Sequence, residues 1–384
     1  MHLALLVIAA FALLFWSSFA LEMCLGYRRM WHLAQVPPLE PGVGPSVSII
    51  VPACNEEKKI ETAMHSLLKQ DYHDYEIVAI DDRSTDRTGE ILDCLALANP
   101  HLQVDHITQL PDEWLGKNHA LHDGASRALG EWLLFTDADV VMEPGTLRRA
   151  LAHAVGHKRD HLTLSPEVIM PGTLLKMFTA TFVIFFSMFS RPWDAVKPKS
   201  RRFVGVGAFN LVRAEVYRAI GGHSRIAMRP DDDMKLGKII KQGGYSQEAL
   251  IGHGVVSVEW YSSLREVIHG LTKNMFSGVD YSIAVVVLSI IAMLTMFIWP
   301  FVAVCVTTSA VFWLNLGAVA TILALFAHVS PYAHGKWWHG VGFPVVCGVL
   351  LYIMARSTLL TLRSGGITWR GTFYPLDQLR RNAV

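Results

Sequence analysis

Four stretches of the chain stay apolar for about the 20 residues that a bilayer-crossing helix needs: 3–24, 282–306, 310–329 and 341–362. Between the first and second the pattern changes. From Ser46 on, short continuous apolar runs alternate with segments whose apolar residues recur three or four positions apart. VSIIVPA, YEIVAIDD, LQVDHIT and EWLLFTDADV read as strands, the first as one buried on both faces. EEKKIETAMHSLLKQ, with Ile60, Ala63, Met64, Leu67 and Leu68 on one face, reads as a helix. STDRTGEILDCLAL, with Ser84 or Thr85 as N-cap, and NHALHDGASRAL read likewise. Strands alternating with helices predict a mostly parallel α/β sheet covered on both faces. Such sheets bind ligands beyond the carboxyl ends of their strands.

The flanks predict an arrangement in a membrane. The first apolar run has no basic residue before it and is followed by Arg28 and Arg29, which favours an anchor over 1–27 rather than a cleaved signal. By the positive-inside rule its N-terminus lies outside and the following domain is cytoplasmic, in a multi-pass protein of the cell's inner membrane. The proline-rich QVPPLEPGVGPS reads as a stiff linker. The apolar segment 174–190 is short for a span and both its flanks belong to the α/β region, so it is expected to lie in the interface, with Arg191 and Trp193 at headgroup level. A buried core helix is the alternative. Three full crossings within 281–363 would put the tail, 364–384, outside, yet that tail carries Arg370, Arg380 and Arg381 directly after Arg363. The charge rule wants it in the cytosol, so one C-terminal segment is expected not to cross, and 341–362, interrupted by Arg356, is the expected one.

Composition sharpens this. The chain of 384 residues is 52% hydrophobic and 17% charged, too apolar for an ordinary soluble protein. A net charge of +1 gives no basic field for nucleic acid. Five scattered cysteines without CxxC spacing fit a reducing compartment.

The predicted strand ends read PACNEE, IDDRSTD and FTDADV, all polar and mostly acidic. In the last, strand alternation would turn Asp137 and Asp139 to the same side. Two like charges that close raise each other's pKa and invite a cation between them. Mg²⁺ is commonly held by one or two carboxylates plus a substrate's phosphates. A plain polar turn is the competing explanation, but it would have to recur at three equivalent places. His119 and His122 have metal-ligand spacing, but no third ligand stands nearby in the sequence, and a phosphate-bound hard cation prefers oxygen.

VSIIVPACNEE, YEIVAIDDRSTDRT, WLGKNHAL and FTDADV, in that order, resemble the nucleotide-sugar half of family 2 glycosyltransferases, which have the GT-A fold. The likeness covers roughly 46–277. The flanking apolar segments narrow it to the membrane-bound branch of ceramide glucosyltransferases and bacterial carotenoid and hopanoid-associated enzymes, and LTKN and ITWRG look like the bacterial lipid-associated members. The resemblance implies that Asp81, Asp82 and Glu56 hold base and ribose of the donor, and that Asp137 and Asp139 hold Mg²⁺ or Mn²⁺ on its diphosphate. Lys117 and Lys273 would add positive charge there. In RPDDDMKLGKII, Asp232 and Asp233 match the family's Glu-Asp pair, Asp233 being the general base on the acceptor and Asp232 a shortened substitute for the Glu. Gly205 and Gly207 would allow close backbone approach to sugar or acceptor.

The expected activity is therefore inverting transfer from a UDP-sugar to a hydroxyl or carboxylate of a membrane lipid. A processive polysaccharide synthase is the rival enzyme, but such enzymes carry Gln-x-x-Arg-Trp where this chain has Lys273 and Asn274 at the last two positions. A silent membrane scaffold or lipid transporter is the rival from another class, weakened by the intact acidic motifs.

Overall fold

The structure, a computed structural model, describes residues 2–382. The chain folds as two units: an α/β unit of Met30–Glu167, Pro192–Glu259 and the chain from Trp369 on, and an apolar helical unit of the remaining segments.

In chain order the strands are β1 (Val47–Ala53), β2 (Tyr75–Asp82), β3 (Leu102–Ile107), β4 (Trp132–Phe135), β5 (Val140–Met142), β6 (His161–Ser165), β7 (Glu167–Ile169), β8 (Asn210–Arg213), β9 (Gln247–Ile251), β10 (Val256–Glu259), β11 (Gly366–Trp369) and β12 (Thr372–Pro375), the last two forming a sheet of their own. Seven form the main sheet in the order β3-β2-β1-β4-β8-β6-β9. β8 runs antiparallel to both neighbours, and the other pairs are parallel. β5 and β10 pair antiparallel beside it.

Strand alternation sorts the side chains onto two cores. Ile49 and Val51 of β1, Trp132 and Leu134 of β4 and Leu211 of β8 face one side, packing with the helices Ile60–Leu68 and Thr146–Gly156. Ile50, Leu133, Phe135 and Val212 face the other, packing with Gly116–Arg127 and Asp232–Gln242. Burial on both faces is why these strands read as unbroken apolar runs.

Three local expectations need correction. The helix after β2 starts at Thr88, and neither Ser84 nor Thr85 caps it. Ser84 Oγ accepts from Asn55 N–H and the Thr85 N–H donates to Asn55 Oδ1, so both lace the β2 loop to the β1 loop. Glu56 and Glu57 likewise precede their helix, which begins at Ile60. The proline-rich segment is strapped down rather than acting as a spacer: Arg148 donates to the Leu39 carbonyl, Arg149 to that of Val36, and Tyr72 Oη to Pro45 O at 2.6 Å. A proline-rich segment makes few hydrogen bonds of its own, which leaves such carbonyls open to capture.

Among the described residues, five segments are long and apolar enough to cross a membrane: His2–Tyr27, Gly172–Asp194, Ile283–Val306, Ser309–Ala333 and Trp337–Ser364. By length and composition the second qualifies as well as the others, so being short does not by itself exclude it. Leu3, Phe11, Leu288, Val306 and Trp313 are among the large apolar residues exposed on these helices, as lipid-facing surfaces require. The third is interrupted by a π-helical stretch, Met293–Ile298, before Pro300. Proline lacks the N–H that would bond the carbonyl four residues back. Trp16 Nε1 donates to that carbonyl, Met296 O, at 2.8 Å. The helices Thr173–Ser190, Leu264–Met275 and Phe343–Ser364 share one core built on Phe178, Leu271 and Ile353.

Candidate active site

The acidic residues gather where β1, β2 and β4 end. β4 stops at Phe135, so Asp137 and Asp139 stand on the turn that follows it, not on the strand, and alternation does not orient them. Tertiary contacts do. Thr136 Oγ1 donates to Ala208 O at 2.9 Å and Asp137 N–H to Gly207 O at 3.0 Å, tying this turn to the segment before β8. Asp137 then accepts from Lys117 Nζ at 2.8 Å, and Asp139 lies 3.4 Å from Lys59 Nζ.

Asp232 and Asp233 occupy the first turn of the helix Asp232–Gln242, where the helix dipole favours negative charge. Asp233 is oriented through both oxygens: Gly207 N–H donates to Oδ2 at 2.9 Å and Met234 N–H to Oδ1 at 2.7 Å. Asp232 lies 3.3 Å from Lys117, whose ammonium therefore spans two carboxylates. The third acid of the run, Asp231, is held by the fully buried Arg229. Asn118 pins the approach to this helix, donating to the carbonyls of Ile226, Ala227 and Arg229. The glycines permit close approach as expected, but to the site's own acids: a Cβ on Gly205 would meet Asp233 O at 1.9 Å, and one on Gly207 would meet Asp137 Oδ2 at 2.6 Å.

Burial and crowding set the charges. Burial opposes the charge on Lys117, but Asp137, Asp232 and Asp233 outweigh it and hold its pKa above the ordinary lysine value. Burial raises Asp232 and Asp233 against the pull of that lysine. Burial, reinforced by Asp137, also raises Asp139. A small cavity is lined by Lys117, Asp137, Gly207, Asp232 and Asp233. Asp139 and Asp137 offer carboxylate oxygens alone, and Asp139 holds its charge at a cost that Lys59 only partly offsets. That donor set fits a hard divalent cation.

At the β2 end the two acids differ. Asp82 is engaged by Arg83 through both oxygens, at 2.7 and 3.1 Å. Asp81 Oδ2 contacts His106 Nδ1 at 2.9 Å, and His106 Nε2 reaches Asp93 at 3.1 Å. Asp81 Oδ1 is buried without a hydrogen-bond partner. An unsatisfied buried carboxylate oxygen is costly and calls for a donor group. Glu56 pairs with Arg370 at 2.9 Å and is raised by burial, the guanidinium opposing. Lys273 belongs to the helix Leu264–Met275 of the helical unit, whereas all the other residues of this site belong to the α/β unit.

Sequence reasoning missed Lys59, Arg83, His106 and Asn118. No local signal separates Lys59 from Lys58, and His106 is visible only once β3 is laid beside β2. Residues 48–221 match the family described as Glycosyl transferase family 2. The chain carries a family 2 domain and is a glycosyltransferase. A 4,4'-diaponeurosporenoate glycosyltransferase of Staphylococcus aureus (strain MRSA252) is 23% identical over 87% of this chain and 89% of the relative. That of Staphylococcus haemolyticus (strain JCSC1435) is 26% identical over 66% and 67%. Among solved structures, the mannosyltransferase PcManGT from Pyrobaculum calidifontis, in complex with GDP-Man and Mn²⁺, superposes with a TM-score of 0.57 at 19% identity, covering 93% of this chain and 98% of that one. The glycosyltransferase therefore has the GT-A fold.

Proposed function

We propose that this glycosyltransferase moves a sugar from a nucleotide-sugar donor to a membrane lipid with inversion at the anomeric carbon. The observation that carries the reading is the group of five acids, Asp81, Asp137, Asp139, Asp232 and Asp233, at the carboxyl edge of the sheet, together with five helices among the described residues that are apolar enough for a bilayer. Asp81 Oδ1 accepts from the donor's base, with uracil N3–H the expected partner. His106 fixes its orientation, and Asp82 serves by holding Arg83. Glu56 completes the ribose side. A Mg²⁺ or Mn²⁺ ion on Asp139 and Asp137 would neutralise charge on the departing diphosphate. Asp233, aimed by Gly207 and Met234, takes the proton of the acceptor hydroxyl. The acceptor oxygen bonds the anomeric carbon as the carbon–oxygen bond to the diphosphate breaks, and the nucleoside diphosphate leaves. Lys117 places its charge between Asp137 and Asp232 and opposes the rise that burial gives Asp232.

The lipid acceptor agrees with the names of the two staphylococcal relatives. Arg28 and Arg29 after the first apolar segment favour a cytoplasmic α/β unit, and the tail belongs to that unit. The chain leaves that unit at Glu167 and returns at Pro192, so the single helix between them does not cross. The same parity requires an even number of crossings among the three C-terminal segments. Phe343–Ser364 shares its core with Thr173–Ser190, which supports it as the segment that stays on one side.

The test is incubation of membranes containing the protein with labelled UDP- and GDP-sugars, followed by identification of the labelled lipid. Label should enter a lipid, and Asp139→Ala or excess EDTA should abolish it. Label confined to free sugar or to a polymer overturns the lipid acceptor, and full activity in EDTA overturns the metal.

A further inference from the structure

The tail after the last apolar helix folds back onto the donor end of the α/β unit. Arg370 and Gly371 both have positive φ, 48° and 80°, the pairing of a tight hairpin turn between Trp369 and Thr372. For a non-glycine residue that conformation is unfavourable, so it is held by what the side chain reaches. It carries the Arg370 guanidinium to the carbonyl of Cys54, just past the end of β1, and to Glu56 Oε1 at 2.9 Å. Farther on, Tyr374 Oη accepts from the Gly116 N–H at 3.3 Å, beside Lys117. Asn382 accepts from Met228 N–H and donates to Arg225 O, both at 3.1 Å. The first two fastenings adjoin a residue assigned above to the donor site.

We infer that Arg370 is a binding residue for the diphosphate of the nucleotide donor, an inference that rests on the nucleotide-sugar reading. The site is crowded with carboxylates, and a diphosphate adds further negative charge, so entry requires cations. Arg83 is committed to both oxygens of Asp82, and Lys117 lies between Asp137 and Asp232. At the β1 end Lys59 holds Asp139 and the Glu259 carbonyl, whereas the Arg370 guanidinium has five N–H donors for its two acceptors, Cys54 O and Glu56, and Asp139 is near enough to oppose the ionisation of Glu56. A guanidinium is a rigid fork that matches phosphate oxygens two at a time. Glu56 holds that fork in place, so little ordering is left for the donor to impose.

The competing explanation is a clamp that only fastens the tail, and a clamp does not distinguish a nucleoside from its diphosphate. The full-length protein is titrated calorimetrically, with Mn²⁺ present, using UDP and GDP. The nucleotide that binds is then compared with its nucleoside in Arg370→Ala, Arg370→Lys and Tyr374→Phe. Arg370→Ala should weaken diphosphate binding about 10- to 100-fold, as expected for losing charge-assisted hydrogen bonds, and leave nucleoside affinity nearly unchanged. Arg370→Lys should recover part of the loss. Tyr374→Phe, which loosens the tail but keeps the cation, should lower thermal stability without separating the two ligands. Unchanged diphosphate affinity in Arg370→Ala, or equal losses for nucleoside and diphosphate, overturns the inference. Failure of the unmutated protein to bind either diphosphate overturns the nucleotide-sugar reading beneath it.

Discussion

At the scale of single residues, Asp233 and Asp139 separate base from metal. Asp233→Asn keeps the side chain's shape, and its amide oxygen can still accept one of the two backbone N–H bonds, but the proton acceptor is gone. Turnover should fall about 10²- to 10⁴-fold, with donor affinity nearly unchanged, whereas Asp139→Ala should lose donor binding. Equal loss of donor binding in both variants would move the base to Asp232. A loss of turnover much smaller than that range would mean an acceptor that arrives already ionised, as a carboxylate does. Because burial raises the Asp233 carboxyl, its basic form is lost as pH falls through a value above the ordinary carboxylate range near 4. The acid limb of kcat/KM should lie correspondingly high. Two buried histidines act on stability instead. Burial lowers His161 from 6.5 to about 4 and His223 to about 3. The unfolded chain takes up those protons first, so the stability they provide is complete above pH 6.5 and is lost as pH falls toward the folded values. Each contributes a slope of about 1.4 kcal/mol per pH unit inside that window. Thermal unfolding at pH 7.5 and 5 should show a smaller pH penalty in His161→Asn than in the unmutated protein. An identical penalty would sink this account.

At the scale of elements, the acidic helix Asp232–Gln242 is positioned by how closely it approaches the chain before β8. A Cβ on Gly237 would lie 2.1 Å from Val204 O, a backbone atom that cannot swing aside. Gly237→Ala gains about 1 kcal/mol of helix propensity, but overpacking costs typically 1–3 kcal/mol. The clash should win, lowering the melting temperature and displacing Asp232 and Asp233, so activity falls as well. Gly156, at the end of its helix with nothing within 4 Å of an added Cβ, is the control, and Gly156→Ala should be neutral or stabilising. Both glycines look alike in the sequence. The helix itself was legible from MKLGKII, as β1 and β2 were from their unbroken apolar runs. The Asp-Ala-Asp turn was misread as a strand end because a four-residue strand leaves too few alternating positions to show where it stops.

For the whole molecule, the number of crossings decides where the tail lies. If the α/β unit is cytoplasmic and Phe343–Ser364 does not cross, a cysteine placed at Asn382 should resist a membrane-impermeant thiol reagent in intact cells and react once they are opened. Modification from outside would overturn both the parity argument and the role given to Arg370, which needs the tail on the catalytic side. The arginines of the tail pointed the same way through the positive-inside rule. What the rule could not supply is the reason for a basic tail here: Arg370 faces Glu56, and Asn382 is bonded to the loop that leads to the acidic helix.

By itself, the sequence determined the α/β class, the order of the four motifs, the apolar flanks and the identity of nearly every acid in the site. Those properties are written in local periodicity and in residue type, which a linear reading preserves. Only the tertiary structure decided which charge meets which. Lys117 spans Asp137 and Asp232, His106 orients Asp81, Arg83 occupies Asp82, and Arg370 reaches Glu56 across more than three hundred residues of chain. Ion pairs form by proximity in space, and sheet order with a returning tail sets that proximity independently of distance along the chain.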